Sequence, residues 1–297
     1  MIFNNECGFG GEDPTFLLTL PFESNTLIEQ YLFYMNHERI QSTLLQALQE
    51  AGALLKSSFG SISKVEKKSE LSLVTETDKR AESIVLEIIT REFPDHAILS
   101  EESPPQGNSA SRWIIDPLDG TTNFAHHLPI CCVSIGYEEK GVIEMGGIFD
   151  PFRNELFFAA RGRGAYLNDQ KISVSAATDI NDALLATGFP YDRRQKGDDY
   201  LAILRAFMMK CQGIRRLGAA ALDLCYVACG RYDGFWEVQL NPWDKVAGML
   251  LVQEAGGQVT NFSGEPLTLA HTQNVASNGK IHEAMLETLK PFQGVAL

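Results

Sequence analysis

Two aspartates three residues apart, Asp116 and Asp119, open the part of the sequence best suited to metal and phosphate chemistry. They follow the apolar run 113–115, which predicts a buried strand that ends at the carboxylates. Gly120 then allows an unusual backbone angle or the close approach of a ligand. Thr121 lies where a helix can start, and the free N–H groups there suit a phosphate. Because Mg²⁺ prefers oxygen ligands such as carboxylates and backbone carbonyls, the stretch predicts a site for magnesium and phosphate.

Two further carboxylates lie beside apolar runs. Glu101 follows the run 97–99, and Asp244 directly precedes an apolar segment rich in Ala and Gly. A single acidic pair is most often a solvated turn, and Asp244 also suits a helix N-cap, which can act as a ligand at the same time. The recurrence of acids next to apolar runs favours a shared functional cluster over independent surface turns.

The elements that must position these acids follow from hydrophobic periodicity and turn signals. A helix is predicted to open at Met35 with Asn36 as its N-cap, and a β-meander is predicted over 130–168. The other predicted helices are 78–93, 200–210, 219–228, 244–255 and 281–289, and the other predicted strands are 97–99, 113–115, 184–187 and 234–237. This mixture predicts a layered α/β (α+β) protein.

The chain divides into three parts by composition and pattern. Residues 1–34 hold five acids, no Lys or Arg and no sustained period, so we expect a loose N-terminal extension or a start codon assigned too early. Residues 35–180 are expected to form an N-terminal α+β subdomain with the metal-binding carboxylates. Residues 181–297 are expected to form a C-terminal α/β subdomain.

Composition excludes several classes of protein. The 297 residues include 25 Lys and Arg against 38 Asp and Glu, and the net charge of −13 disfavours binding to a nucleic-acid backbone. A hydrophobic fraction of 44% argues against disorder, and no apolar run approaches the length of a membrane helix. The six cysteines lack C-x-x-C spacing, which favours reduced thiols and a cytoplasmic location.

Five segments together resemble motifs of the inositol monophosphatase family, within the fructose-bisphosphatase-like superfamily. The match is to D-P-[IL]-D-G-T-x-N-F at 116–124, W-D-x-x-[AG]-[AG] at 243–248, L-V-T-x-x-D at 73–78, E-A-G-G at 254–257 and G-E-E-S at 100–103, where Ser100 replaces the glycine. The resemblance covers about residues 38–290. It implies a layered α-β-α-β-α sandwich of the sugar phosphatase type.

The resemblance implies a ligand set for two or three Mg²⁺. Glu101, Asp116 and the Leu118 carbonyl would hold the first ion, and Asp116, Asp119 and Asp244 the second. A third, weaker ion is placed at the same glutamate. Two metals about 3.5–4 Å apart can clamp the attacking and leaving oxygens of an in-line displacement.

The resemblance also implies catalytic roles. Asp78 and Thr121 would orient and activate the water, with Asp78 as base and Glu101 as a further catalytic residue. The N–H groups of Gly120 and Thr121 would hold the phosphate. A cap for the following helix is the alternative role for Asp78.

Three residues are implied to bind the rest of the substrate. Glu237 and Asp119 would contact hydroxyl groups, and Ala220 would touch the ring through its backbone. A glutamate without this role is the alternative for Glu237.

The resemblance implies a Mg²⁺-dependent phosphoric monoester hydrolase that acts on myo-inositol 1-phosphate or a similar small polyol phosphate. Metal-activated water would attack phosphorus directly, without a phosphoenzyme. Lithium inhibition and a homodimer are further implications, and no membrane or nucleic-acid partner is expected. Fructose-1,6-bisphosphate, 3′-phosphonucleotides and histidinol phosphate stay open as substrates. A non-catalytic regulatory protein on the same fold is the alternative from another class.

Overall fold

The computed structural model describes residues 24–61, 65–67 and 73–293. By backbone contacts the chain forms two units, Met1–Ile40 and Gln41–Leu297. The helices are α1 (Ser24–Ser58), α2 (Glu76–Glu92), α3 (Thr121–Ala125), α4 (Arg193–Met208), α5 (Ala220–Ala228), α6 (Pro242–Glu254) and α7 (His282–Leu289).

The strands belong to three sheets. They are β1 (Val65–Lys67), β2 (Leu73–Thr75), β3 (Ala97–Ser100), β4 (Ser111–Asp119), β5 (Cys132–Glu139), β6 (Val142–Asp150), β7 (Glu155–Ala160), β8 (Gly164–Leu167), β9 (Gln170–Lys171), β10 (Leu184–Thr187), β11 (Gly213–Arg215), β12 (Gly234–Val238), β13 (Gln258–Thr260) and β14 (Gln273–Ser277).

Two large sheets carry the fold. The first sheet has seven strands in the order β3-β4-β5-β6-β7-β8-β9, with β3 and β4 parallel and every later pair antiparallel. The second sheet has five strands in the order β11-β10-β12-β14-β13, with β10 parallel to both of its neighbours. Strands β1 and β2 form a separate antiparallel pair.

Helices cover both faces of each sheet. On neighbouring glycines of β6, a Cβ at Gly147 would lie 2.6 Å from Leu48 of α1, while a Cβ at Gly146 would lie 2.8 Å from Ala247 of α6. Because side chains alternate along a strand, α1 and α6 lie on opposite faces of the first sheet.

The second sheet is covered in the same way. Trp236 of β12 stacks on Phe207 of α4 with ring centroids 4.0 Å apart, whereas its neighbour Phe235 belongs to the core formed with α5 and α6. The order of layers is therefore α1 and α2, first sheet, α5 and α6, second sheet, α4 and α7. The predicted α-β-α-β-α sandwich is confirmed.

Most predicted elements are present, and three boundaries were wrong. Helix α1 begins at Ser24 rather than Met35, so Asn36 is not its N-cap; residues 25–34 contain no Pro or Gly to stop a helix. Helix α4 begins at Arg193 rather than Tyr200. The prediction missed its first turns because they are polar and have no apolar period. The same helix is interrupted by non-helical angles at Lys196.

The third boundary concerns β4, which continues through Asp116 to Asp119 instead of ending before them. The expectation for residues 1–34 falls largely on residues 1–23, which lie outside the described residues. The boundary at residue 180 remains a prediction. In the described part of the chain, no helix is long and apolar enough to cross a membrane.

Candidate active site

A bulge in β4 brings Asp116 and Asp119 together. Asp116 pairs with Ser134 of β5 and Asp119 with Cys132, so three steps on one strand match two on the other. The additional residue offsets the alternation of side chains, which would otherwise send positions i and i+3 to opposite faces. Pro117 suits this position because it has no N–H for the sheet. The Leu118 N–H instead donates to Oδ1 of Asp116 at 3.0 Å.

Gly120 turns the chain from β4 into α3. Its φ is 90°, and a Cβ there would lie 2.7 Å from the carbonyl oxygen of Ile130. Both the backbone angle and the space require glycine. Helix α3 then begins at Thr121, as predicted.

Two other helix N-termini meet the carboxylates. The Ala221 N–H at the start of α5 donates to Oδ2 of Asp119 at 2.8 Å. Asp244 is the third residue of α6, where its Oδ2 accepts from the Asn241 N–H at 2.6 Å. The N-cap of α6 is thus Asn241, and the interpretation of Asp244 as the N-cap itself is wrong by three positions.

Asp78 and Thr121 are joined by a hydrogen bond. The Thr121 hydroxyl lies 3.0 Å from Oδ1 of Asp78 and 3.0 Å from the Leu118 carbonyl, so its single proton can be donated to one of them at a time. The other oxygen of Asp78 accepts from the Thr75 N–H at 2.9 Å in a capping box at the start of α2. Asp78 therefore caps a helix, as the structural alternative proposed, and also faces Thr121.

One cavity of about 580 Å³ collects most of the predicted site residues. Those that line it are Glu101, Asp116, Leu118, Asp119, Gly120, Thr121, Ala220, Glu237 and Asp244. Asp78 is fully buried and does not line the cavity, which it reaches through the Thr121 hydroxyl. The predicted site residues other than Asp78 thus share one cavity, and Asp78 lies behind Thr121.

Burial and mutual repulsion raise the pKa values of Asp116, Asp119 and Asp244. Burial is the main cause for all three. The pKa of Asp119 rises to about 6 and that of Asp244 to about 8, and that of Asp116 lies well above its ordinary value. The negative charge of Glu101 contributes to all three shifts. These groups repel each other, and a bound cation would relieve that repulsion.

The donor set fits a hard cation such as Mg²⁺. It consists of carboxylates and the Leu118 carbonyl, without a thiolate or imidazole. Among the described residues, no group of three or more His, Cys, Asp or Glu side chains has an arrangement that could hold a metal ion. Mg²⁺ in proteins is typically held by one or two carboxylates together with water, which is a smaller set of protein donors.

Glu237 occupies a space that only glycine leaves open. A Cβ on Gly188, which follows β10, would lie 2.0 Å from Oε1 of Glu237. Burial and the charge of Asp244 raise the pKa of Glu237 to about 8, while Arg216 acts in the opposite direction. The role of Gly188 was missed, because its partner is distant in the sequence.

Sequence reasoning also missed polar residues of the cavity and of the layer behind it. Arg193, Arg216 and Gln239 line the cavity. Asp223 of α5 lies behind it, 1% exposed, and neither of its carboxylate oxygens has a hydrogen-bond partner. The signal for Asp223 was present, because it is the single charged residue in the apolar run 219–228.

Two sheets separated by helices, with an acidic cavity beside a bulged strand, define a layered α/β protein of the sugar phosphatase type. The chain belongs to the inositol monophosphatase family, whose model matches residues 36–293. The inositol-1-monophosphatase of Synechocystis is 46% identical over 247 residues, covering 82% of this chain and 86% of the relative.

The chain is also similar to a protein named as a Nus factor and to a solved structure of an inositol monophosphatase. The Nus factor SuhB of Escherichia coli K12 is 42% identical over 250 residues, covering 83% of this chain and 94% of the relative. The inositol monophosphatase structure from Anabaena is 45% identical with a TM-score of 0.79, covering 86% and 97% of the two chains. The resemblance drawn from the five motifs is confirmed.

Proposed function

We propose that the protein is a Mg²⁺-dependent phosphomonoesterase that hydrolyses myo-inositol 1-phosphate or a similar small polyol phosphate. The observation that carries this proposal is a cavity in which five carboxylates, the Leu118 carbonyl and the start of α3 meet. Membership of the inositol monophosphatase family supports the same reaction.

The metal-binding residues would be Glu101, Asp116, Asp119, Asp244 and the carbonyl of Leu118, all of which line the cavity. Bound Mg²⁺ would supply positive charge for the phosphate oxygens and would lower the pKa of water. The carboxylates must be ionised to act as ligands, and the raised pKa values of Asp116, Asp119 and Asp244 support a bound counter-charge at this site.

Proton transfer would use Thr121 and Asp78. The Thr121 hydroxyl faces the cavity and is 3.0 Å from Asp78, so it can accept a proton from water while donating its own to the carboxylate. Burial raises the pKa of Asp78, which makes it a better proton acceptor than an exposed aspartate. The Thr75 N–H fixes the carboxylate in place at 2.9 Å.

Substrate binding would use both ends of the cavity. The N–H groups of Gly120 and Thr121 are available to the phosphate, because the first N–H groups of a helix have no partner within it. Glu237 and Asp119 would accept hydrogen bonds from hydroxyl groups, and Ala220 would contact the ring through its backbone. Both Glu237 and Ala220 line the same cavity as the carboxylates.

Phosphate release from a panel of substrates tests the proposal. The panel contains inositol, sugar, nucleotide and histidinol phosphates, each with Mg²⁺, with EDTA and with millimolar Li⁺. We expect Mg²⁺-dependent release that is fastest for myo-inositol 1-phosphate and is inhibited by Li⁺. Asp119→Asn should abolish it, whereas the exposed control Asp95→Asn should leave it unchanged. Release from none of the substrates would overturn the proposal.

A second candidate function is regulatory, because relatives such as the one in Escherichia coli are named Nus factor SuhB. The two functions can be separated in the native organism by comparing a deletion with a chromosomal Asp119→Asn allele. Equal phenotypes would support the enzymatic role. A normal phenotype for Asp119→Asn would support a role that does not need the carboxylate.

The remaining expectations are a cytoplasmic homodimer without a nucleic-acid partner. The acidic net charge supports the last of these, and the family resemblance supports the dimer. Light scattering of the purified protein tests the dimer. The electrophoretic mobility of RNA and DNA in its presence tests the absence of a nucleic-acid partner.

A further inference from the structure

Two loops form the wall of the cavity at the end where Glu237 lies. One loop follows β10 and the other follows β12, and because these strands are parallel, both loops leave the same edge of the second sheet. Residues 189–191 of the first loop and 239–241 of the second line the cavity. The two segments meet at the strand ends, since a Cβ on Gly188 would lie 2.0 Å from Oε1 of Glu237.

Asp192 joins the two loops, although it does not itself line the cavity. Its Oδ2 accepts from Nε2 of Gln239 at 2.7 Å, and its Oδ1 accepts from the Tyr200 hydroxyl at 2.5 Å. The same Nε2 of Gln239 also donates to the Tyr200 hydroxyl oxygen at 3.3 Å, so the three side chains form a triangle of hydrogen bonds. The Lys196 ammonium lies 3.5 Å from Oδ2 of Asp192 and adds a charged contact.

The backbone on both sides of this triangle departs from regular geometry. Gln239 has a φ of 60°, in the left-handed region that residues other than glycine seldom adopt. Helix α4 is interrupted at Lys196, between Asp192 and Tyr200. Backbone strain of this kind persists only where surrounding contacts enforce it. Because Tyr200 is 4% exposed and belongs to the core beside the second sheet, the triangle ties the cavity wall to that core.

We propose that Asp192 is a positioning residue that sets the length of the cavity at the Glu237 end, and so limits the size of the substrate group remote from the phosphate. The triangle holds residues 189–191 against residues 239–241. Without the Asp192 carboxylate the first loop would move away from the second and admit larger groups. This inference rests on the proposed function and adds to it the residue that excludes bulky phosphate esters.

A matched pair of aromatic substrates tests the inference. Phenyl phosphate and 2-naphthyl phosphate differ by one fused ring, and each is assayed with wild type, Asp192→Ala, Asp192→Asn and the control Asp198→Ala. Asp198 is a suitable control because it is an exposed aspartate near the start of α4 and does not line the cavity. We expect wild type and Asp198→Ala to prefer phenyl phosphate, and Asp192→Ala to reduce that preference in kcat/KM about tenfold.

The separate kinetic constants distinguish positioning from a general loss of structure. Asp192→Ala should raise KM for myo-inositol 1-phosphate about fivefold, with kcat within about twofold, because the wall moves while the carboxylates near the phosphate do not. Asp192→Asn keeps one acceptor oxygen and should restore part of the size preference. Tyr200→Phe should act in the same direction and add nothing to Asp192→Ala, because residues that act together are non-additive. An unchanged size preference in Asp192→Ala, or additive effects in the double variant, would overturn the inference.

Limited proteolysis follows the first loop without turnover. Trypsin cleaves after arginine, and the exposed Arg193 and Arg194 directly follow Asp192. Cleavage there should be about tenfold faster in Asp192→Ala than in wild type or Asp198→Ala, because a loosened segment opens more often. Equal cleavage rates would show that the loop is held without Asp192 and would overturn the inference.

The assays also separate the inference from the proposed function. A wild type that hydrolyses no phosphate ester would overturn the proposed function and the size limit with it. A wild type that hydrolyses both aromatic substrates without a size preference would overturn the inference alone.

Discussion

Single residues decide whether the acids of β4 can act together. Asp116 and Asp119 face one cavity because the strand has one residue more than its partner between them. The Thr121 hydroxyl then connects that cavity with Asp78, which lies behind it. At this scale the chemistry depends on contacts of about 3 Å, and small changes in side chains should have large effects.

Thr121→Ala is expected to reduce kcat by about 10²–10³-fold, within the range of a lost general base, because it removes the hydroxyl between the cavity and Asp78. Thr121→Ser keeps that hydroxyl and should stay within about tenfold of wild type. Phosphate release at saturating Mg²⁺ measures both. Equal activity of the Ala and Ser variants would show that Asp78 acts only as a helix cap.

Gly188→Ala is expected to displace the Glu237 carboxylate, because the new Cβ would lie 2.0 Å from Oε1. KM for myo-inositol 1-phosphate should rise about tenfold, corresponding to about 1.4 kcal/mol, while kcat on p-nitrophenyl phosphate is retained. The control is Gly197→Ala, where a Cβ meets no atom within 4 Å. An unchanged KM in Gly188→Ala would exclude Glu237 from substrate binding.

At the scale of elements, helix ends organise the molecule. The N-termini of α3, α5 and α6 all contribute to the cavity, and the start of α5 holds Asp119 through the Ala221 N–H. Their positive dipole ends favour the carboxylates that gather there. The other end of α6 has a structural task, since Glu254 accepts from the N–H groups of Gly162 at 2.9 Å and Gly164 at 2.8 Å.

Glu254→Ala should lower the free energy of unfolding by about 1–3 kcal/mol, because two backbone N–H groups in the turn between β7 and β8 lose a charged acceptor. KM should not change, because Glu254 does not line the cavity. Urea denaturation measures the loss, with the exposed Glu87→Ala of α2 as control. Equal stability of the two variants would show that the turn holds without Glu254.

His282→Gln tests the hydrogen-bonded core beside α7. His282 lies 2.8 Å from both Thr260 and Ser277, and burial lowers its pKa from 6.5 to about 4. Between these two pH values the unfolded chain binds the proton and the native protein does not, so this residue contributes stability above pH 6.5 that is lost as pH falls toward 4. The variant should lose less stability than wild type over that interval in urea titrations. Parallel pH curves would contradict the buried neutral histidine.

For the whole molecule, the distribution of charge matters more than its sum. The net charge is −13, and several of the acids are buried around one cavity. In the metal-free protein, raised carboxyl pKa values mean that the native state binds more protons than the unfolded chain, which lowers stability as pH rises. A bound cation would reverse this trend, so stability and metal binding are coupled.

Mg²⁺ should raise Tm, and its affinity should increase between pH 6 and pH 8, because the carboxyl groups of Asp119 and Asp244, with pKa values of about 6 and about 8, must lose protons to bind it. Calorimetry in two buffers of different ionisation enthalpy would measure the released protons, with EDTA and Asp119→Asn as controls. An affinity independent of pH would contradict this assignment of ligands.

The sequence alone determined the class of fold and most of the cavity wall. A short apolar run predicted strand β10 with its observed bounds, because apolar residues mark the segments that become buried. Local motifs predicted that Glu101, Asp116, Asp119 and Asp244 belong to one site, and all four line the same cavity. Such motifs are informative because neighbours in the chain help to position each carboxylate.

Only the tertiary structure decided the rest. The bulge in β4 depends on its register with β5, and the space for Glu237 depends on Gly188. Each of these is a contact between segments far apart in the sequence, and local patterns carry no signal for such pairs. The placement of Asp78 behind Thr121 has the same origin, since the depth of a side chain is set by the layers packed around it.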